Sequence, residues 1–293
     1  MVSWSFRLAM SLMPAYLLSF YFFGVAVIDH FDLQAWSPAQ IPLCERKYCK
    51  PQTAASVLFA IKSTAASETR RMLIRKTFVR QILEFVPQAA YTFYIANDTS
   101  AVTVVQDDMT LLADLPENKK VATTIKTHAF FQTLTVRHDW VCHVDDDSYV
   151  QIYRLMHNYL TNAYYYPFRT LIARKRDEPD YLGKAFSYPG GQMYCLSWDL
   201  VTAFAHSPLN YTLSGLDEWP ADDLLLGLFL STLIMPFRFV ELSNVLAYDV
   251  GRSADVYAYA HTPNPEQGIN PHKMKTDAQY AAVAAAHELT FAF

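Results

Sequence analysis

The sequence predicts an α/β protein with a mostly parallel central sheet, preceded by an apolar N-terminal segment. Three observations carry this. From residue 56 onward, short β-type apolar runs alternate with segments of helical period. A chain of 293 residues that is 52% hydrophobic and 15% aromatic can bury a sizeable core, as one large domain or two small ones. Leu8 through Ile28 carries no charged side chain, and its length matches the ~20 residues of a bilayer-spanning helix. The net charge of −4 comes with no basic patch of the kind that holds nucleic acid. With 8 glycines, 15 prolines and no internal repeat, fibrous and repeat classes are excluded.

Arg7 precedes the apolar segment, and Asp29, His30 and Asp32 follow it. This asymmetry predicts a cytoplasmic N-terminus with the rest of the chain across the membrane. A cleaved signal peptide, with Gly24-Val25-Ala26 as the cleavage site, is the competing reading. Both send the chain into the secretory pathway. The expected organisation is a stub and transmembrane signal anchor over 1–28, an aperiodic stem with Pro, Gln and Ser over 29–54, and a folded domain over 55–293. Asn97-Asp98-Thr99 and Asn210-Tyr211-Thr212 are glycosylation sequons, placing glycans on Asn97 and Asn210. Cys44, Cys49, Cys142 and Cys195 allow two disulfides in three pairings, and no C-x-x-C pair points to zinc. Cys142 lies inside an apolar run, where a buried free thiol is the plainer expectation.

In order along the chain, Ser56–Ile61 reads as a buried strand. Residues 67–79 read as a helix capped by Ser67, with Met72, Ile74, Phe78 and Val79 as its apolar positions. Tyr91–Ile95 is a second strand, 118–136 a helix, Asp139–Val144 a third strand, and 149–161 another helix.

The third strand runs straight into Asp145-Asp146-Asp147. In open α/β sheets, ligands bind at the carboxyl ends of strands. Clustered carboxylates there repel one another unless a cation neutralises them, and hard oxygen ligands suit Mg²⁺, Mn²⁺ or Ca²⁺. The structural alternative is an acidic cap for the helix starting near Tyr149. An EF-hand is disfavoured, since the loop lacks its glycine and terminal Glu. Farther on, Trp219-Pro220-Ala221-Asp222-Asp223 precedes an apolar run and has the composition of a helix start.

Trp140 to Val150 closely resembles the D-x-D segment of Fringe and its relatives in glycosyltransferase family 31, the inverting β1,3-glycosyltransferases. Four further blocks resemble that family in the same order. They are Phe59-Ala-Ile-Lys-Ser with Arg70-Arg71 to Phe78, then Thr124–Thr127, Tyr188–Leu200 and Ala221–Gly227. The resemblance covers most of the chain after the stem. Three departures stand out: Phe78 for the usual Trp, Gln192 and Met193 for small residues in a glycine segment, and Asp222-Asp223 for Glu-Asp, as in Fringe. They bear on the substrate rather than on the reaction.

The resemblance implies a GT-A-type fold and transfer of a hexose from a UDP-sugar to a glycan hydroxyl in β1,3 linkage. Galactose is the first expectation for the donor sugar and N-acetylglucosamine the second. Mn²⁺ or Mg²⁺ would stabilise the diphosphate leaving group, held by Asp147, Asp145 and a late histidine, His272 or else His261. Asp146 would contact the donor's ribose. Asp223, with Asp222 as runner-up, would be the general base that an inverting transfer to a poor nucleophile requires. Arg71, Arg75 and Lys126 are expected partners of the nucleotide, as guanidinium groups grip phosphate oxygens through two donors; a solvated helix face is the alternative. Gly190 and Gly191 would let the backbone approach substrate, or form a turn after Pro189. His128, His138 and His206 have no assigned role, and His143 is expected to pack in the strand region. The expected location is the Golgi or ER membrane, single-pass type II, with the catalytic domain lumenal. The contrasting readings are a catalytically inactive relative that binds glycans or assists another transferase, and a secreted Ca²⁺-binding module. Intact Asp147 and Asp223 speak against the first, and the other four blocks against the second.

Overall fold

The computed structural model describes residues 55–97, 106–118, 121, 125–161, 167–179, 185–207, 221–233, 236–244, 246–250 and 267–289. The expected anchor and stem, with Cys44 and Cys49, lie outside the described residues, as do Asn210 and His261. Among the described residues, no helix is long and apolar enough to cross a membrane.

A seven-stranded sheet forms the centre, in the order β3-β2-β1-β4-β6-β5-β7. Its strands are β1 (Val57–Lys62), β2 (Ala89–Asn97), β3 (Met109–Pro116), β4 (Trp140–Asp145), β5 (Thr170–Pro179), β6 (Ala185–Ser197) and β7 (Arg238–Glu241). β1, β2, β3 and β4 pair in parallel, as does β5 with β7; β6 runs antiparallel to both β4 and β5. A separate parallel pair joins β8 (Ala247–Asp249) to β9 (Asn270–His272). The expected mostly parallel α/β architecture is present.

Period-two alternation sends β1 and β4 side chains to both faces. Val57, Phe59, Ile61, Trp140, Cys142 and Val144 pack on one face with Ile74, Phe78, Met156 and Tyr280. Leu58, Ala60 and Val141 pack on the other with Phe130, Phe204 and Leu226. Both faces are covered, which is why these strands read as continuous apolar runs. The first face carries α1 (Glu68–Ile74), continuing through a π turn over Arg75–Val79 into α2 (Arg80–Phe85), and also α4 (Ile152–Leu155) and α7 (Asp277–Leu289). The second carries α3 (Lys126–Thr133), α5 (Trp198–Ala205) and α6 (Asp222–Ser231).

Several sequence expectations are corrected. Ser67 precedes α1 without a side-chain capping bond; its hydroxyl pairs with Thr64 Oγ1 at 2.8 Å. Thr77 leaves helical geometry, its hydroxyl donating back to Leu73 O, so the helix continues past Val79 only across a kink. Met72 is an exposed apolar position rather than a core one. Cys142 is not a free thiol: it forms a disulfide with Cys195, its direct cross-strand partner on β6. That bridge spans 53 residues of sequence, and chain-entropy arguments give such a loop about 4 kcal/mol of stabilisation. Gly190 and Gly191 belong to β6 rather than to a simple turn. β3 and β5 are strands that hydrophobic patterning did not reveal. β3 lies at the sheet edge, where Leu112 is buried and Leu111 exposed, so its apolar signal is diluted.

Candidate active site and metal-binding group

The site lies at the carboxyl end of the parallel strands. Register sets Lys62, the last residue of β1, beside Asp145, the last residue of β4. The chain then turns through Asp146 and Asp147, with Ser148 N–H donating to Asp145 O at 3.0 Å. Backbone bonds from Tyr149 N–H to Pro271 O and from Met274 N–H to Asp147 O fasten this turn against β9. His272 is thereby brought to the aspartates across more than a hundred residues of sequence.

Asp145, Asp147 and His272 each offer a ligand atom, and these atoms lie within 4.8 Å of one another. His272 Nε2 stands 3.2 Å from Asp147 Oδ1, while its Nδ1–H donates to Asp249 Oδ1 at 2.8 Å. A histidine whose far nitrogen is held by a carboxylate, leaving Nε2 toward two aspartates, has the form of a metal ligand with its orienting partner. The donor set of two carboxylates and one imidazole suits a divalent cation. Burial opposes charge on His272, but hydrogen bonds to Asp147 and Asp249 and the charges of Asp147 and Asp145 outweigh it and raise its pKa. Burial likewise opposes ionisation of Asp145, yet the Lys62 ammonium, with help from His143 and His272, holds the carboxyl well below the usual range. Asp147 is also lowered, against burial, chiefly by His272 and then by Lys275. Asp146 differs: burial and the charges of Asp147 and Asp145 push it up to about 6, and Ser63 Oγ donates to it at 3.1 Å.

Across the cavity, Asp222 and Asp223 open α6. The sequence pattern there is that of a helix start, and the structure agrees. Asp222 Oδ2 is filled from inside: Lys62 Nζ lies 3.0 Å away and Thr127 Oγ1 donates at 2.5 Å. Asp223 accepts the Gly191 N–H on Oδ2 at 3.1 Å and its neighbour Leu224 N–H on Oδ1. Burial first, and then the charge of Asp222, raise the Asp223 pKa. Lys62 bridges the two halves, 2.8 Å from Asp145 Oδ1 and 3.0 Å from Asp222 Oδ2. Burial would lower its pKa, but the two carboxylates hold it well above the usual value. A cavity of about 240 Å³ is lined by Lys62, Asp145, Asp222, Asp223 and His272 among others.

Of the residues singled out in sequence, Asp145, Asp222, Asp223, Gly191 and His272 therefore share one cavity, with Asp146, Asp147 and Gly190 adjoining it. Arg71, Arg75 and Lys126 do not line it. Arg71 is buried and bonds Thr64 O, Ser63 Oγ and Glu68. Arg75 grips Asp108 with two nitrogens, at 2.8 and 3.0 Å. Lys126 is fully enclosed and bonds Ser63 O and Glu117. Arg71 and Lys126 thus brace the Ser63 segment that in turn holds Asp146. Asn97 lies at the end of β2.

Lys62 and His143 were not recognised from sequence. Lys62 carried a usable signal, a lysine ending an apolar strand just as Asp145 ends another. His143 is packed as expected, but its Nε2–H also donates to Gly191 O at 3.0 Å, and Tyr94 OH lies 2.7 Å from its Nδ1. It supports the backbone that holds Asp223.

A profile described as Fringe-like matches residues 52–242, more than half of the chain. The chain belongs to the Fringe-like family. By class, this Fringe-like protein is a glycosyltransferase. No curated protein sequence matches it. Among solved structures, it overlaps a galactosyltransferase, LgtC, in complex with donor and acceptor sugar analogs, over 80% of this chain and 95% of that one, with a TM-score of 0.46 at 12% identity. It also overlaps a glycosyltransferase involved in glycosylation of the major capsid of PBCV-1, over 80% and 99% of the two chains, with a TM-score of 0.39 at 11% identity. The family match spans Lys62, the three consecutive aspartates, Gly191 and Asp223; Asp249 and His272 both lie beyond its end.

Proposed function

We propose that this Fringe-like protein is an inverting, metal-dependent hexosyltransferase of GT-A type, moving galactose, or failing that N-acetylglucosamine, from a UDP-sugar to a glycan hydroxyl in β1,3 linkage. The observation that carries the reading is that two sets of carboxylates, one of them part of a candidate metal group, meet at one cavity. Asp145 and His272 of the candidate metal group line it together with Asp223, and Lys62 links Asp145 to Asp222, the neighbour of Asp223.

Asp145, Asp147 and His272 would hold Mn²⁺ or Mg²⁺, which supplies charge stabilisation to a diphosphate leaving group. Asp146, the residue between the two aspartates, would contact the donor's ribose. Asp223 is the general base that takes the acceptor hydroxyl's proton. Its raised pKa brings its proton affinity closer to neutral pH, where a base works best. Asp222 is a poorer base because Lys62 and Thr127 already occupy its Oδ2. The Gly191 N–H and the start of α6 hold Asp223 in place before substrate arrives.

The proposed location is the Golgi or ER lumen, with residues 1–28 as a type II anchor and glycans on Asn97 and Asn210. A disulfide between Cys142 and Cys195 supports an oxidising compartment. The test is UDP release by the full-length chain in detergent, with a panel of UDP-sugars and glycan acceptors, with Mn²⁺ and with chelator. Metal-dependent turnover of one donor, lost in Asp147→Ala and Asp223→Asn, is expected. No turnover, and no rise in melting temperature with any UDP-sugar and Mn²⁺, would overturn the reading in favour of an inactive glycan-binding relative.

A further inference from the structure

Two lysines touch the candidate metal group, and they are held in different ways. Lys62 Nζ lies between Asp145 and Asp222, and its side chain is only 18% exposed. It is fixed from two sides. Lys275 Nζ bonds Asp147 Oδ2 from outside the group. Its side chain is 68% exposed, and among the described residues Asp147 is its only ion-pair partner. Lysine carries its charge on a flexible four-carbon stem, so this ammonium can move away with no change in the backbone.

The backbone beneath Lys275 is itself well held. Met274 N–H donates to Asp147 O at 3.2 Å, and Lys275 N–H donates to Lys273 O at 3.0 Å. Lys273 takes a left-handed conformation, with φ 66°, which residues other than glycine seldom adopt. The chain turns there, directly after His272. On the far side, Thr276 and Gln279 exchange backbone-to-side-chain bonds at 3.2 Å, a capping box for α7. The turn brings His272 and Lys275 to the two oxygens of one carboxylate. His272 Nε2 stands 3.2 Å from Asp147 Oδ1, and Lys275 takes Oδ2.

Charge sets what a divalent cation would gain here. Asp145 and Asp147 supply two negative charges, and Lys62 and Lys275 already answer them with two positive ones. A cation entering that group is repelled by both ammonium groups as well as drawn by both carboxylates. Its binding improves if one ammonium withdraws or if an anion enters with it. Lys275 is the one able to withdraw, and the oxygens of a diphosphate are acceptors that an ammonium can follow.

We propose that Lys275 is an exchangeable counter-ion, which competes with a divalent cation for Asp147 and passes to the oxygens of a diphosphate bound beside that cation, so that ion and anion bind cooperatively. The competition stands on the metal group alone. The transfer to a nucleoside diphosphate rests on the nucleotide-sugar reading above.

The test titrates Mn²⁺ into the full-length chain in detergent and follows it by electron paramagnetic resonance, for wild type, Lys275→Met and Lys275→Arg. Each titration is run alone, with inorganic pyrophosphate and with UDP, corrected for the ion that these anions hold without protein. Melting curves check that the variants fold. Lys275→Met should bind Mn²⁺ alone roughly two- to fivefold more tightly than wild type, the range for a partly exposed ion pair. The wild type should gain about fivefold or more from either anion. Lys275→Met should lose most of that gain, and Lys275→Arg, which keeps the charge, should stay near the wild type. Unchanged or weaker Mn²⁺ binding by Lys275→Met alone, an anion-induced gain as large as the wild type's, or a wild type that gains nothing from either anion overturns the inference. If pyrophosphate produces the gain and UDP does not bind, the exchange stands and the nucleotide-sugar reading fails.

Discussion

Gly191 N–H donates to Asp223 Oδ2 at 3.1 Å, and a Cβ on Gly191 would stand 3.0 Å from that same oxygen. The closeness that makes the bond thus leaves no space for a side chain. Gly191→Ala should push the Asp223 carboxyl off its position. A misplacement of this size in a catalytic group lowers kcat roughly 10- to 100-fold, while the buried core is untouched. Steady-state kinetics beside thermal melting check this, and full activity in the alanine variant would show that Asp223 is not held by this contact.

Lys62 neutralises two carboxylates at once, the partly buried Asp145 and the buried Asp222. Lys62→Met would leave both without their cation. Removing one partner from a fully buried ionic group costs about 3–5 kcal/mol; with Asp145 partly exposed the cost is smaller, but a clear drop in melting temperature is expected without metal. Mn²⁺ should recover part of it, because a cation at Asp145 and Asp147 replaces some of the missing charge. Denaturant melts with Mn²⁺ and with EDTA measure both, and a variant as stable as the wild type in EDTA would mean that Lys62 is not the compensating charge.

The raised pKa of Asp223 has opposite consequences for activity and stability. As a base it must be ionised, so the acid limb of the kcat/KM profile should lie above the ordinary carboxylate value of about 4. Burial is the first cause of the shift and Asp222 the second. Asp222→Asn removes the second and should move the limb to lower pH. For stability, a carboxyl that binds its proton more tightly when folded favours the native state at low pH, and loses that contribution as pH rises through its folded pKa. Asp223→Asn should therefore melt higher than the wild type near neutral pH, but not below pH 4, while losing activity. Melting curves across pH would refute this if the variant gained nothing at neutral pH.

Much of this site was legible in the sequence because it sits where strands end. β1 and β4 are covered on both faces, so they appear as unbroken apolar runs, and the carboxylates that follow mark the sheet's binding edge. Asp223 and His272 emerged only through the family resemblance, since a helix start or a lone histidine means little by itself. Contacts set by topology were not legible. Cys142 and Cys195 meet because β6 inserts antiparallel beside β4, a pairing that local patterning does not encode. Arg75 is expected at the nucleotide because a guanidinium grips phosphate oxygens, whereas here it pairs with Asp108 on the β2–β3 side. Gln192 was visible as a departure from the family, but the register shift that accompanies its place at the cavity was not.

Asp249 decides how His272 presents itself. β8 pairs with β9 so that Asp249 stands opposite His272, and Asp249 Oδ1 accepts the Nδ1–H. The same carboxylate takes Lys273 Nζ at 2.8 Å, so it is itself held. With Nδ1 tied to Asp249, Nε2 is the nitrogen turned toward Asp147 and Asp145, and it is the one that would give up its proton to a cation there. Asp249→Ala should free the ring to rotate and to change tautomer, without removing any of the three ligand atoms. Outer partners of this kind are worth about 10- to 100-fold in metal affinity. Titration of the full-length chain with Mn²⁺, followed by electron paramagnetic resonance, should show that loss. His272→Ala should lose at least as much, and the double variant little more than His272→Ala alone, because Asp249 acts through His272. Additive losses would mean that Asp249 contributes to the ion directly, and an unchanged affinity in Asp249→Ala would mean that His272 is oriented by packing alone.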